Sequence, residues 1–284
     1  MIPATFEYHK AKSLRGALSL LTKHEDAKLL SGGHSLIPAM KLRMSTPERL
    51  IDIGGLKELR YLRVGREFVR VGATSTHHEL ALSKRLLKAA PALAQAAGSI
   101  GDVQVRNRGT VGGSIAHADP AADYPAPLLV LDATVRVRSA AGDREIPIDD
   151  YFIDLFMTNL SAGEIITEIS IPVTPAVRNS CYLKFPHPAS RFAVCGCAAA
   201  ADVSGGTWSS LRIAFNGISG ATFRDTGIEQ ALEGQAVTED SIRAAAGNAA
   251  AGAELMGDTF ASEEYRRHLA TVFAQRALSS IAGI

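Results

Sequence analysis

Cysteine is scarce in this chain, and neither sign of charge is in excess. The 284 residues include three cysteines, one tryptophan, and 30 basic against 29 acidic side chains. Three thiols fall short of an iron–sulfur cluster, which is ordinarily held by four thiolates, and they make no disulfide framework. Any such cluster would have to sit in a partner. Cys195 and Cys197 stand in an apolar, alanine-rich stretch and, with Cys181, read as small buried hydrophobes. A formal net charge of +1 gives no basic footprint for nucleic acid. No apolar run approaches the roughly 20 residues of a membrane-spanning helix. Met1-Ile2-Pro3-Ala4-Thr5 lacks the basic-then-apolar opening of a secretory signal, so the expected setting is the cytoplasm. Also missing are an acid–base pair, a nucleophile beside a base, and a zinc signature. No catalytic residue and no metal ligand is therefore assigned.

Against these absences stand two loops built on adjacent glycines, Ser31-Gly32-Gly33-His34-Ser35 and Thr110-Val111-Gly112-Gly113-Ser114. Each lies where an apolar run gives way to a helix or turn. Paired glycines there let backbone approach a ligand closely and turn several N–H groups one way, which suits a phosphate. Neither loop contains a lysine. The first lacks the Gly-x-Gly-x-x-Gly spacing and is not followed by Gly-Lys-Ser/Thr, so Rossmann and P-loop readings are poor. Two loops in one chain suggest a single diphosphate-bearing cofactor held from both sides; the plain alternative is glycines serving tight turns.

The periodicities place these loops in an α+β chain of three parts, 1–55, 56–175 and 176–284. In the first, Ser13 caps a helix with Leu14, Ala17, Leu18 and Leu21 on one face. Ala27-Lys28-Leu29-Leu30 and Arg49-Leu50-Ile51-Asp52-Ile53 read as strands of a βαβ-like unit, and Ser35 as the cap of the helix between them. In the second, strands are expected near 68–73, 135–138 and 165–172, with helices after Thr76, through 91–97 and around 128–131. Asp119-Pro120 reads as a helix start. In the third, strands over 181–185, 193–202 and 211–218 precede helices over 241–253 and 262–281. Arg106 and Arg108 alternate with Val105 and Asn107, which suggests one shared face. They would neutralise a cofactor phosphate, pair with Asp102, or form an ordinary surface ion pair.

Two stretches carry a resemblance. Leu29 to Pro38, followed by Lys41-Leu42-Arg43, and the longer run from Ile100-Gly101-Asp102 through Thr110-Val111-Gly112-Gly113-Ser114 to Asp123-Tyr124-Pro125 resemble the FAD-binding medium subunits of molybdenum hydroxylases. That family includes carbon monoxide, xanthine and aldehyde dehydrogenases, and the resemblance covers essentially the whole chain. It implies a two-subdomain flavin fold of the PCMH (VAO-like) type, followed by a C-terminal domain of a three-stranded antiparallel sheet with helices. FAD would lie between the first two parts. The backbone of Ser31, Gly32, Gly33, His34 and Ser35 and of Thr110, Val111, Gly112, Gly113 and Ser114 would hold its diphosphate, Ser35, Thr110 and Ser114 would add hydroxyls, and Leu36 would be a further cofactor-binding residue. Ile100, Asp123, Ile166 and Lys184 would lie near the cofactor.

The same resemblance implies partners: a small subunit with two [2Fe–2S] clusters and a large molybdenum–pterin subunit, arranged as a dimer of heterotrimers. Electrons would leave through this chain to an external acceptor, and substrate choice would rest with the large subunit. A different class is a stand-alone flavin oxidase with FAD linked through His34, because a histidine after paired glycines carries covalent flavin in some oxidases.

Overall fold

The Ser13 hydroxyl accepts the Gly16 N–H and opens the helix Leu14–Lys23, which turns Leu14, Ala17 and Leu18 inward. In the computed structural model, which describes every residue from Met1 to Ile284, that face covers a three-stranded parallel sheet. The central strand Arg49–Asp52 lies between Glu7–Lys10 and Lys28–Leu30. Glu7–Lys10 gave no signal in the sequence because an edge strand reading Glu-Tyr-His-Lys has no buried face to pattern. Parallel strands end on one side, so Ser31 comes to lie beside Gly54, where an added Cβ would stand 3.2 Å from the Ser31 carbonyl. The first glycine loop thus occupies the carboxyl edge of the sheet, where such folds leave their ligand crevice.

The middle part is an antiparallel sheet in the order Leu62–Val64, Phe68–Gly72, Ile165–Pro172, Thr134–Ser139, Gly142–Pro147. Val69, Val71, Val135, Val137, Ile169 and Ile171 alternate onto one buried face. The core above that face draws on the helices His77–Leu82, Pro91–Ser99, Val111–His117 and Pro125–Val130. Ile165, at the start of its strand, packs instead with Ile51 and Ile53 of the first part. The two parts therefore share a seam at that end of the sheet.

The third part is a sheet of Ser180–Pro186, Ala193–Asp202 and Ser209–Asn216, to which the two-residue strand Phe223–Arg224 adds a fourth member beyond the three expected. Both faces are buried. Tyr182, Ala198, Ala200 and Ala214 join the middle core, while Cys181, Cys195, Cys197, Ala199, Ile213 and Phe215 pack toward the helix Glu263–Ala282. Alanine suits a strand pressed between two layers, because small side chains allow close approach.

Four local expectations change. The helix expected through Ala253 runs only over Glu239–Ala246, because the buried Asp225 carboxylate takes the Ala250 N–H at 2.7 Å and Ala250 adopts φ +57°. Asp119 caps no helix: its Oδ1 accepts the Ala121 N–H in a turn, and the helix starts at Pro125. Ser35 precedes the helix Leu36–Lys41 without a side-chain cap. Arg106 and Arg108 lie on the helix Val103–Arg108, capped by Asp102, where residues two apart point to nearly opposite sides.

Candidate functional site

The first loop leaves the strand Lys28–Leu30 with Gly33 at φ +76°, a conformation that costs glycine nothing and an L side chain about 1–2 kcal/mol. Its amides are unspent. The N–H groups of five consecutive residues, Gly32, Gly33, His34, Ser35 and Leu36, meet no acceptor anywhere in the chain. Consecutive free amides in a bent loop make an anion-binding concavity. The exposed His34 ring sits beside it, its Nδ1 3.0 Å from the Gly32 carbonyl.

The second loop is built differently. Val111 N–H donates to Ser75 O, Gly112 N–H to Ala73 O, Gly113 N–H to Thr110 Oγ1 and Ser114 N–H to Thr110 O. The sequence suggested two matched cradles of N–H groups, but here the amides are turned into the protein. What this loop presents is close packing and hydroxyls. An added Cβ on Gly32 would lie 2.2 Å from Arg108 O, and one on Gly112 would lie 2.6 Å from the Ala73 Cβ. Only glycine lets the loops interlock this tightly, and Ser31 Oγ and Thr110 Oγ1 meet across the join at 3.1 Å.

A segment that sequence reasoning missed stands behind both loops. Ala73 to His77 follows the strand Phe68–Gly72, and its residues Thr74, Ser75, Thr76 and His77 are all buried. Thr76 fills the helix-cap role its position suggests, in a capping box with Glu79. Four polar residues directly after an apolar strand were the available signal. His77 donates its backbone N–H to Gly109 O at 3.0 Å, and its ring Nδ1 lies 2.9 Å from the Tyr124 hydroxyl. Burial, with His34 and Arg106 nearby acting the same way, lowers the imidazole to about 3.

Tyr124 leads to Asp123, which is 4% exposed. The Tyr182 hydroxyl donates to one carboxylate oxygen at 2.6 Å and Lys184 Nζ to the other at 2.7 Å. Lys184 also donates to Ser99 O at 3.1 Å, and Arg106 donates to Ile100 O at 2.8 Å. Ile100, Asp123 and Lys184, far apart in sequence, therefore converge. Burial pushes the Asp123 carboxyl up, and Lys184 and the Tyr182 hydroxyl act against that rise. Lys184 borders a cleft of about 490 Å³ with Arg106, Arg191 and Asp102, which sets three cations against one carboxylate. Ile166 belongs to the middle core, one residue before Thr167, whose carbonyl accepts the Ala73 N–H. The His117 ring is tilted against Phe156, with centroids 5.1 Å apart, and Asp119 holds its own turn.

Residues 4–174 match the family model described as the FAD binding domain in molybdopterin dehydrogenase, and 180–281 match the CO dehydrogenase flavoprotein C-terminal domain. The chain belongs to the FAD-binding medium subunits of the molybdenum hydroxylases. It is 39% identical to the carbon monoxide dehydrogenase medium chain of Hydrogenophaga pseudoflava, over 99% of this chain and 98% of that one. It is 34% identical to the glyceraldehyde dehydrogenase medium chain of Sulfolobus acidocaldarius, over 99% and 100%. Among solved structures, carbon monoxide dehydrogenase from Hydrogenophaga pseudoflava superposes with a TM-score of 0.94 at 40% identity, covering 100% of this chain and 99% of that one. Quinoline 2-oxidoreductase from Pseudomonas putida 86 superposes with the same TM-score of 0.94 at 29% identity and the same coverage.

The residues of this medium subunit fit FAD. Unpaired neutral donors suit a diphosphate, which a nest of N–H groups holds without the cost of burying lysines. The neighbouring cationic cleft suits the electron-rich end of a flavin. The helices of the subunit are none of them long and apolar enough to cross a membrane.

Proposed function

We propose that this chain is the electron-exit subunit of a heterotrimeric molybdenum hydroxylase. It would work with a small subunit carrying two [2Fe–2S] clusters and a large molybdenum–pterin subunit, two of each per complex, in the cytoplasm. The observation that carries this reading is the run of five unpaired amides at the seam of two interlocked glycine loops. Bound there, FAD supplies the electron acceptance and redelivery to an external acceptor that no side chain of this chain offers.

The chain's own part is to hold and to orient. The N–H groups of Gly32, Gly33, His34, Ser35 and Leu36 bind the diphosphate, and the hydroxyls of Ser31, Ser35, Thr110 and Ser114 complete its shell. Gly112, between Val111 and Gly113, keeps the second loop thin enough to close against Ala73. Ile100, Asp123, Ile166 and Lys184 border the flavin, with Asp123 fixing the Lys184 ammonium beside it. Residues 1–55, 56–175 and 176–284 form the proposed domains, the first two enclosing the cofactor and the third contributing Lys184.

Native purification of the tagged chain from its source cells tests the reading. Two further chains should co-elute, one bringing iron and acid-labile sulfide and the other molybdenum. A single-chain flavoprotein that turns over an organic substrate by itself would replace this reading with the stand-alone oxidase.

A further inference from the structure

The His77 side chain has one ring nitrogen for which the chain provides nothing. Tyr124 is fully buried, and its hydroxyl has Nδ1 as its only partner. An O–H that did not donate there would be left without an acceptor, so Nδ1 is the acceptor and the proton sits on Nε2. Nε2–H makes no hydrogen bond within the chain, although His77 is only 5% exposed. Its surroundings are left open by glycines. A Cβ on Gly109 would stand 2.5 Å from Nε2, and one on Gly32 would stand 2.7 Å from the Gly109 Cα. Nε2, Gly109 and Gly32 therefore meet where the first loop closes on the second, beside the unpaired amides.

We propose that the His77 Nε2–H is a side-chain donor to the diphosphate held by the first glycine loop, with Tyr124 as the positioning residue that fixes its tautomer. The inference rests on the reading of this site as an FAD site. A neutral donor matches the neighbouring backbone amides, and burial keeps the imidazole uncharged at working pH. The same logic explains glycine at 109: any side chain there would cover Nε2.

Reconstitution of FAD-free full-length chain tests it, with FAD and ADP as probes and binding followed by flavin fluorescence and calorimetry. A hydrogen bond to a charged acceptor lost in His77→Leu should weaken both ligands about 10–100-fold. His77→Gln, whose side-chain amide reaches toward the Nε2 position, should stay within about fivefold of wild type. Tyr124→Phe keeps the packing but releases the tautomer, and should weaken FAD several-fold. Unchanged affinity in His77→Leu overturns the proposal, as does equal weakening in Leu and Gln. If His77→Leu does not fold, wild-type affinity in Tyr124→Phe together with weakened binding in His77→Gln overturns it. Failure of the wild-type chain to bind FAD is a separate outcome that removes the site reading itself.

Discussion

Gly32→Ala adds one methyl group where the two loops interlock. Its Cβ would lie 2.2 Å from Arg108 O, 2.7 Å from Gly109 Cα and 2.8 Å from Arg108 C. All three are backbone atoms, so no side-chain rotation relieves the clash. To restore ordinary contact at 3.4 Å the Arg108 carbonyl must retreat by about 1.2 Å, an overpacking strain of roughly 1–3 kcal/mol. That retreat carries the loops apart and breaks the 3.1 Å link between Ser31 and Thr110. It also misplaces the free amides. Loss of two amide–phosphate bonds, at about 1.5–3 kcal/mol each, raises the Kd for FAD at least about 100-fold. Gly55→Ala is the control, because its Cβ would meet only Lys10 Cε, at an ordinary 3.7 Å. Its affinity should stay within about fivefold of wild type. Titration of FAD-free protein by fluorescence quenching, with thermal melts of the same samples, gives both quantities. Wild-type affinity and melting in Gly32→Ala, or equal damage in Gly55→Ala, would refute the reasoning.

Three further outcomes follow from the same contacts. A histidine whose folded value is lowered to about 3 binds no proton where the unfolded chain does. Wild-type stability therefore falls as pH drops below about 6.5, by about 2 kcal/mol between pH 7 and pH 5 from this residue, and His77→Leu should remove that portion in urea titrations of FAD-free protein. The Arg144 guanidinium holds Glu164 below its ordinary 4.5 through bonds of 2.6 and 2.8 Å. That contribution is present above pH 4.5 and lost as pH falls below it, so Arg144→Met should give a shallower acid limb in the same titrations. Burial pushes the Cys195 thiol up to about 12 and raises Cys197 and Cys181 as well. A thiol reagent should count none of the three in native protein and all three after denaturation; rapid native labelling would contradict the packing of the third part.

Local chemistry made much of this fold legible. Ser13 and Thr76 announced their helices because a cap is a one-residue decision, and the strands of the middle sheet announced themselves by alternation. The glycine loops were equally plain, but their different tasks were not. Whether an amide is free depends on what lies opposite, and the carbonyls of Ala73 and Ser75 that consume the second loop's amides belong to a segment with no motif of its own. Asp123 and Lys184 entered through the family resemblance alone, since no pattern links a carboxylate to an ammonium 61 residues away. The edge strand Glu7–Lys10 and the break after Ala246 were invisible for the same reason: one is set by a neighbouring strand and the other by Asp225.

The direct test of the central claim is a titration of FAD-free chain with FAD, followed by acid precipitation. The expected result is saturation at one FAD per chain, with FMN, which lacks the diphosphate, bound far more weakly and all yellow colour released to the supernatant. No saturable binding, equal affinity for FMN, or flavin retained in the pellet would contradict the account.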